Sequence, residues 1–466
     1  MEKITFALYF GNRGFFPGEL IADARKDMAA ACRKNGYGYI AMDESLTRYG
    51  AVETISEGET YAKFLKENEG KYNGIIVCLP NFGDENGAYY ALKDVSVPIL
   101  IQAYPDEIGK MDFAHRRDAV CGKIAMCNVF RQANIKYTLT EKFAVNPLTA
   151  CFAEDLRKFA GICRVVNGMK SFNIGAIGAR TTAFKTVRVD EIAMQRKHIN
   201  VETIDLARVF AMMDTVDETK LAEKKEHLKN DTDFGTYADI KLENIARLAV
   251  TIDELIAEYR LHSIAIRCWD EIQKRYGVAP CVILGDLNEK GIVAACELDI
   301  NNAVMMRALM LASDHPVMLY DVNNNYGECE KKVIFFHCGP SPKSMLKGRG
   351  RIEEHLMFKK IYGPESGVGL RVDDVQNGEV TIGSCKTEDG KIRAFATEGT
   401  ITDDTIEKAF FGCGCVFEKK TGTADEMLNY MSSEGYRHHV AIAKGNWNFT
   451  VKEAFKTYLG YNIDII

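Results

Sequence analysis

No stretch of this chain approaches the roughly 18 consecutive apolar residues that span a bilayer, so the sequence predicts no membrane helix. No block of lysine or arginine occurs either, and 59 basic against 65 acidic residues leave a net charge of only −6 over 466 residues. That balance excludes a general nucleic-acid or polyanion binder. No export signal is legible: the opening MEKITFALYFGNRG carries one short apolar run, Ile4 to Phe10, which reads as a first strand. The 14 cysteines are therefore expected as buried, reduced thiols of a cytoplasmic protein rather than a disulfide framework, with Cys78, Cys121, Cys127, Cys268, Cys281 and Cys296 in apolar or small-residue settings. Histidine is scarce, with nine residues. His337 and the pair His438-His439 are informative for that reason.

What is present is a sizeable core. Hydrophobic residues make up 47% and charged residues 27%, the composition of a soluble protein of two or three domains. From Ile4 to about Ala103, short β-rich runs alternate with segments of helical period, which predicts a parallel, doubly wound sheet. Ligands gather beyond the carboxyl ends of such strands, where Arg13 and Asn81 fall, and His115 lies in a polar turn leading into a helix. Pro147 marks a boundary, after which the alternation restarts. Past Asp321, runs such as KVIFFHC, EVTIGSC and GCVFEK lie between Gly, Asp and Asn turns and read as antiparallel β. The expected fold class is α/β: two Rossmann-like doubly wound domains, residues 1–147 and 148–318, then a β-rich C-terminal domain, residues 319–466.

Two acids stand out. Glu297 sits inside IVAACELDI, and Asp321 ends the apolar run VMLYD, with one helix-like segment between them. A carboxylate among buried residues must be paired, hydrogen-bonded or bound to a metal, because desolvating it alone is costly. Together with strand-end histidines they make a mixed oxygen and nitrogen donor set, suited to Mn²⁺, Fe²⁺, Co²⁺ or Zn²⁺ more than Ca²⁺. Three other signals are weaker. Gly175 and Gly178 follow a strand but lack the dinucleotide spacing. Cys413 and Cys415 have no second ligand pair for zinc. Cys338 has no visible cause for a lowered pKa. Arg180, Thr181, Thr182, Lys185 and Arg188 cluster after the same strand, either as a solvated helix start or as a polar wall for a hydroxylated or anionic substrate.

The segment AIRCWDEIQKRYGVAPCVILGDLNEKGIVAACELDI closely resembles the L-fucose isomerase-like family. GARTTAFKTVRVDE upstream, and FFHCGPSP and HHVAIAKG downstream, are similar to the same family's landmarks in the same order, so the resemblance covers roughly residues 170–466. It implies a divalent cation, usually Mn²⁺, held by Glu297, Asp321 and His439. His337 falls where the arabinose-isomerase branch carries an extra ligand. It also implies a homo-oligomer whose sites lie between the second and third domains and are completed by a neighbouring subunit's first domain, which would bring in Arg13, Asn81 and His115.

The expected activity is aldose–ketose isomerisation of a hexose or pentose through a cis-enediol, with Glu297 and Asp321 as the proton-transferring pair. Arg180, Lys185 and Arg188 leave room for an anionic substituent such as a sulfonate. A non-catalytic sugar sensor and a metal-dependent epimerase or lyase are the alternatives.

Overall fold

In the computed structural model, residues 3–237, 239–407 and 411–466 are described. They form two compact units: residues 1–167 with the returning segment Glu453–Gly460, and residues 168–452 with Tyr461–Ile466. Thus most of the long helix Ala150–Met169, which the sequence places after the Pro147 boundary, packs with the first unit.

Five strands build the sheet of the first unit: Thr5–Phe10 (β1), Gly38–Ala41 (β2), Gly74–Leu79 (β3), Ile99–Ala103 (β4) and Thr138–Leu139 (β5), in the order β2-β1-β3-β4-β5. All pairings are parallel. The run GIIVCL of β3 is buried throughout, as a strand covered on both faces must be. Phe159 of the long helix stacks on Phe6 of β1 with ring centroids 5.4 Å apart. The returning segment is fastened by Tyr458, whose hydroxyl lies 2.9 Å from that of Thr138.

The second unit repeats the pattern and then departs from it. Phe172–Ile177 (β6), Ile199–Ile204 (β7), Ser263–Ile266 (β8) and Val293–Ala295 (β9) form a parallel sheet in the order β7-β6-β8-β9. The apolar run CVILG, which periodicity alone does not assign, lies in the helix Cys281–Glu289, buried over almost its whole length. A helix hydrophobic all round belongs to an interior and shows no stripe.

The remaining strands are Val317–Asn325 (β10), Lys332–His337 (β11), Arg351–Glu354 (β12), Val368–Val372 (β13), Gly378–Glu388 (β14), Lys391–Ile401 (β15), Cys413–Lys419 (β16), His439–Lys444 (β17) and Asn462–Ile465 (β18). Apart from the β12–β13 ribbon, they run in the order β14-β17-β10-β11-β16-β15-β18, and β14 also pairs with β15. The expected β-rich region is therefore a closed barrel, with β18 added outside it. Alternate residues Met318 and Tyr320, Val333 and Phe335, Cys415 and Phe417, and Val440 and Ile442 form its core. Closure removes the exposed edges that an open sheet would leave.

All 14 cysteines are free. Most are buried, but Cys121 is exposed and Cys127 partly so, because one face of the helix Ala119–Gln132 remains solvated.

Arg371 on β13 is completely buried, its Nε donating to Thr232 Oγ1 at 2.9 Å and its Nη2 to Asp231 Oδ2 at 2.6 Å. Removing one partner of such a pair leaves a desolvated charge uncompensated. Asp231→Ala is expected to destabilise this unit by about 3 kcal/mol, read from the urea midpoint; an unchanged midpoint would show that other groups neutralise the guanidinium.

Candidate metal centre

Two neighbouring strands of the barrel wall supply half of the centre. In the antiparallel pairing of β10 with β17, Asp321 stands directly opposite His439, so the register alone places a carboxylate beside an imidazole. Glu297 arrives from the other side, just beyond the end of β9 in the parallel sheet, which is where ligand groups collect in such sheets. Glu297 and Leu298 both adopt left-handed backbone conformations, with φ of 58° and 62°. Two consecutive non-glycine residues in this region are strained. They are held there by hydrogen bonds from Leu298 N–H to Ile266 O and from Asp299 N–H to Cys296 O, each 3.0 Å.

Asp299 caps the helix Ile300–Ser313, accepting the Asn302 N–H at 3.0 Å. The same buried carboxylate takes the Asn302 side-chain amide at 2.7 Å, Arg437 Nη1 at 3.0 Å and His439 Nδ1 at 2.8 Å. Burial pushes its pKa up, but the Arg437 and His439 contacts outweigh that and hold it at about 2. An ionised Asp299 fixes the proton of His439 on Nδ1. Nε2 is thereby turned to the other side of the ring, 2.9 Å from Glu297 Oε2 and 3.3 Å from Asp321 Oδ1. His438 Nε2 lies 3.8 Å from the same Asp321 oxygen.

Glu297 Oε1 accepts the Trp269 indole N–H at 3.1 Å. Burial raises the pKa of Glu297, but His439 and, to a lesser degree, His337 and Trp269 bring it below the usual carboxylate range. Phe184 packs over the centre, its ring 5.6 Å from those of His438 and His439 and 5.9 Å from Trp269.

The donor set fits a divalent cation. Asp321 Oδ1 and His439 Nε2 are both buried without a hydrogen bond of proper geometry, although an oxygen of Glu297 or Asp321 lies within 3.3 Å of the nitrogen. Lone pairs from two carboxylates and one imidazole converge, and buried lone pairs facing each other require a cation or a proton between them. Among the described residues, Asp321, His438 and His439 each offer a ligand atom, all within 4.8 Å of one another. The second ring nitrogen of His439 is bonded to a carboxylate, the usual outer support of a metal-ligating histidine.

The sequence singled out further polar residues. Arg180, Lys185 and Arg188 occupy the segment that carries Phe184, and Arg180 and Arg188 donate to nearby backbone carbonyls. Arg13, Asn81 and His115 belong to the first unit. There, Arg13 packs over Phe82 and pairs with Glu85, Asn81 is buried against Asn12, and exposed His115 bonds Asp112. Sequence reasoning missed Asp299, Arg437, Trp269 and Phe184. Asp299 falls in the sequence at the start of the helix-like segment after Glu297, and Arg437, beside the two histidines, offered the one available hint.

The fold and the centre together define a class: an α/β protein with a β-barrel, bearing a carboxylate–imidazole cluster on the barrel wall. Comparison with known proteins narrows it. Residues 7–170 match the fucose/sulfoquinovose isomerase N-terminal domain, and residues 335–466 match the L-fucose isomerase C-terminal domain. The chain belongs to the L-fucose isomerase-like family. Sulfoquinovose isomerase of Alkalicoccus urumqiensis is 23% identical over 86% of this chain and 88% of its own, and that of Priestia aryabhattai is 23% identical over 85% of each. The sulfoquinovose isomerase of Clostridium sp. (strain MSTE9) is 25% identical over 43% of each chain. Glu297 and Asp321 lie between the two matched domain segments, whereas His337 and His439 lie inside the second.

Burial lowers the pKa of His439, but the neighbouring carboxylates of Asp299 and Glu297 raise it to about 10 in the metal-free protein. A raised folded-state value stabilises fully below the unfolded value near 6.5 and is lost as pH climbs towards the folded one. The melting temperature of chelator-treated protein should therefore fall between pH 7 and 10 more steeply in the wild type than in His439→Gln. Parallel pH profiles for the two would show that this imidazole carries no such proton.

Proposed function

We propose that this protein is a divalent-metal-dependent aldose–ketose isomerase acting on a sulfonated hexose. The observation that carries this reading is the convergence of Glu297, Asp321 Oδ1 and His439 Nε2, the last two buried without a hydrogen-bond partner. Glu297, Asp321 and His439 would hold the cation, Mn²⁺ by family resemblance, with His438 within reach of the same carboxylate. A cation held there would polarise the sugar carbonyl and make the adjacent C–H easier to ionise.

The chain's own groups carry the protons. One carboxylate takes the proton from C2 of the aldose while O1 gains one, giving the enediol; O2 then loses its proton as C1 is protonated, giving the ketose. Glu297 and Asp321 flank that position, and the direction of reaction decides which acts as base. Trp269 holds one oxygen of Glu297 in place, and the Phe184 ring packs against both histidines. A non-catalytic sugar sensor would gain nothing from burying unpaired carboxylates, which is costly.

The substrate class rests on two supports. Curated relatives are named sulfoquinovose isomerases. In addition, the segment that carries Phe184 also carries Arg180, Lys185 and Arg188, none of them paired with a carboxylate among the described residues. These cations would meet the sulfonate. No step above draws on a neighbouring subunit; in a homo-oligomer, Arg13, Asn81 and His115 of a neighbouring first domain are the candidates to complete the pocket.

Isomerisation of a 6-sulfonated hexose should be abolished by a chelator and restored by Mn²⁺; activity indifferent to chelation would refute the metal-dependent reading. Glu297→Gln should lower kcat about 10²–10⁴-fold with the circular-dichroism spectrum unchanged. Arg180→Gln should raise KM for the sulfonated sugar about tenfold and leave an uncharged hexose unaffected. Equal effects on both sugars would remove Arg180 from sulfonate recognition.

A further inference from the structure

His337 sits at the end of β11, almost completely buried, with its ring centroid 6.5 Å from that of His439. The two imidazoles are held in opposite senses. His439 donates from Nδ1 to Asp299, whereas His337 Nδ1 accepts the backbone N–H of Cys338 at 2.8 Å. A backbone amide can only donate, so Nδ1 of His337 carries no proton and the neutral ring carries its hydrogen on Nε2. That Nε2–H is buried and has no partner. A metal ligand at this position would need the other tautomer, which would set N–H against N–H at Cys338.

Behind Glu297, His337 lines a cavity of about 40 Å³ together with Gln273, Cys338 and His355. Gln273 Nε2 donates to Cys268 O at 2.7 Å, which fixes the amide so that Oε1 is free, and this oxygen is buried without a partner. His355 Nε2 lies 3.1 Å from Cys338 Sγ, a thiol that burial keeps protonated. The thiol donates to Nε2, so the hydrogen of His355 is on Nδ1, which is likewise buried and unpartnered. His337, Gln273, His355 and Glu297 all line this cavity, and between them they offer two N–H donors, one amide oxygen and a carboxylate. They are the complement of a single water molecule, which accepts two hydrogen bonds and donates two.

We propose that His337 is a hydrogen-bond donor rather than a metal ligand, and that with Gln273 and His355 it holds one water against the buried side of Glu297. His337 is then a positioning residue. It acts through the water to orient the Glu297 carboxylate. The inference rests on the metal-centre reading only for the role of Glu297; the tautomer and the water site stand independently of it.

Three measurements decide it. In protein labelled with ¹⁵N-histidine, the His337 signals, assigned by their loss in His337→Gln, should show the Nε2–H tautomer; the Nδ1–H form would overturn the proposal. In Mn²⁺ titrations followed by electron paramagnetic resonance, His337→Gln should bind within about tenfold of the wild type, the range of an outer-shell change, while His439→Gln loses binding. An equal loss in both would make His337 a ligand. Absence of Mn²⁺ binding in the wild type would sink the proposed function while leaving the tautomer test standing. A crystal structure should show one oxygen within about 3.2 Å of both His337 Nε2 and Gln273 Oε1, and a dry cavity would refute the water site. Circular dichroism confirms the fold of each variant.

Discussion

The hydrogen bond between Asp299 and His439 is the contact on which the centre depends. It joins the start of a helix to a barrel strand, and it decides which imidazole nitrogen faces Glu297 and Asp321. Asp299 can serve both elements because each of its oxygens has donors: Asn302 and Arg437 on one, Asn302 and His439 on the other. A fully buried carboxylate is tolerable only when satisfied in this way. The helix cap and the ligand support are thus one group with two roles. Loss of its charge would weaken the helix start and release the ring together.

The surrounding fold supplies precision. Barrel closure fixes the register of β10 against β17, so Asp321 and His439 remain opposite one another. A slip of one strand by one residue would put the two side chains on opposite faces of the wall. On the facing side, backbone bonds to Ile266 and Cys296 hold Glu297 and Leu298 in an unfavourable conformation. Strain of this kind persists where the surrounding structure over-determines it, and here it aims the carboxylate at the imidazole.

The acids were legible in the sequence because burial makes a lone carboxylate conspicuous: Glu297 in IVAACELDI and Asp321 after VMLY needed partners wherever they folded. The alternation of strands and helices likewise announced parallel sheets. Barrel closure was not legible, since the β14–β15 pairing and the order of the strands depend on contacts distant in sequence. Asp299 was hidden by its position, because an aspartate before a helix is adequately explained as a cap. Trp269 and Phe184 gave no periodic signal, and their meaning lies in which rings they touch. The cysteines near His337 looked like independent thiols, and His355 gave no signal at all. Only their arrangement around one cavity relates them.

Charge balance bears on what occupies the centre. Asp299, Glu297 and Asp321 bring three carboxylates together, and Arg437 supplies one guanidinium against them. With neutral histidines, two negative charges are left uncompensated in a largely buried site. A proton on His439 offsets one of them, which is why that imidazole holds its proton so strongly in the absence of metal. A divalent cation would offset both and would need the Nε2 lone pair free. If a cation enters this site, the proton on His439 must leave, so cation binding and deprotonation of this imidazole would be one coupled event.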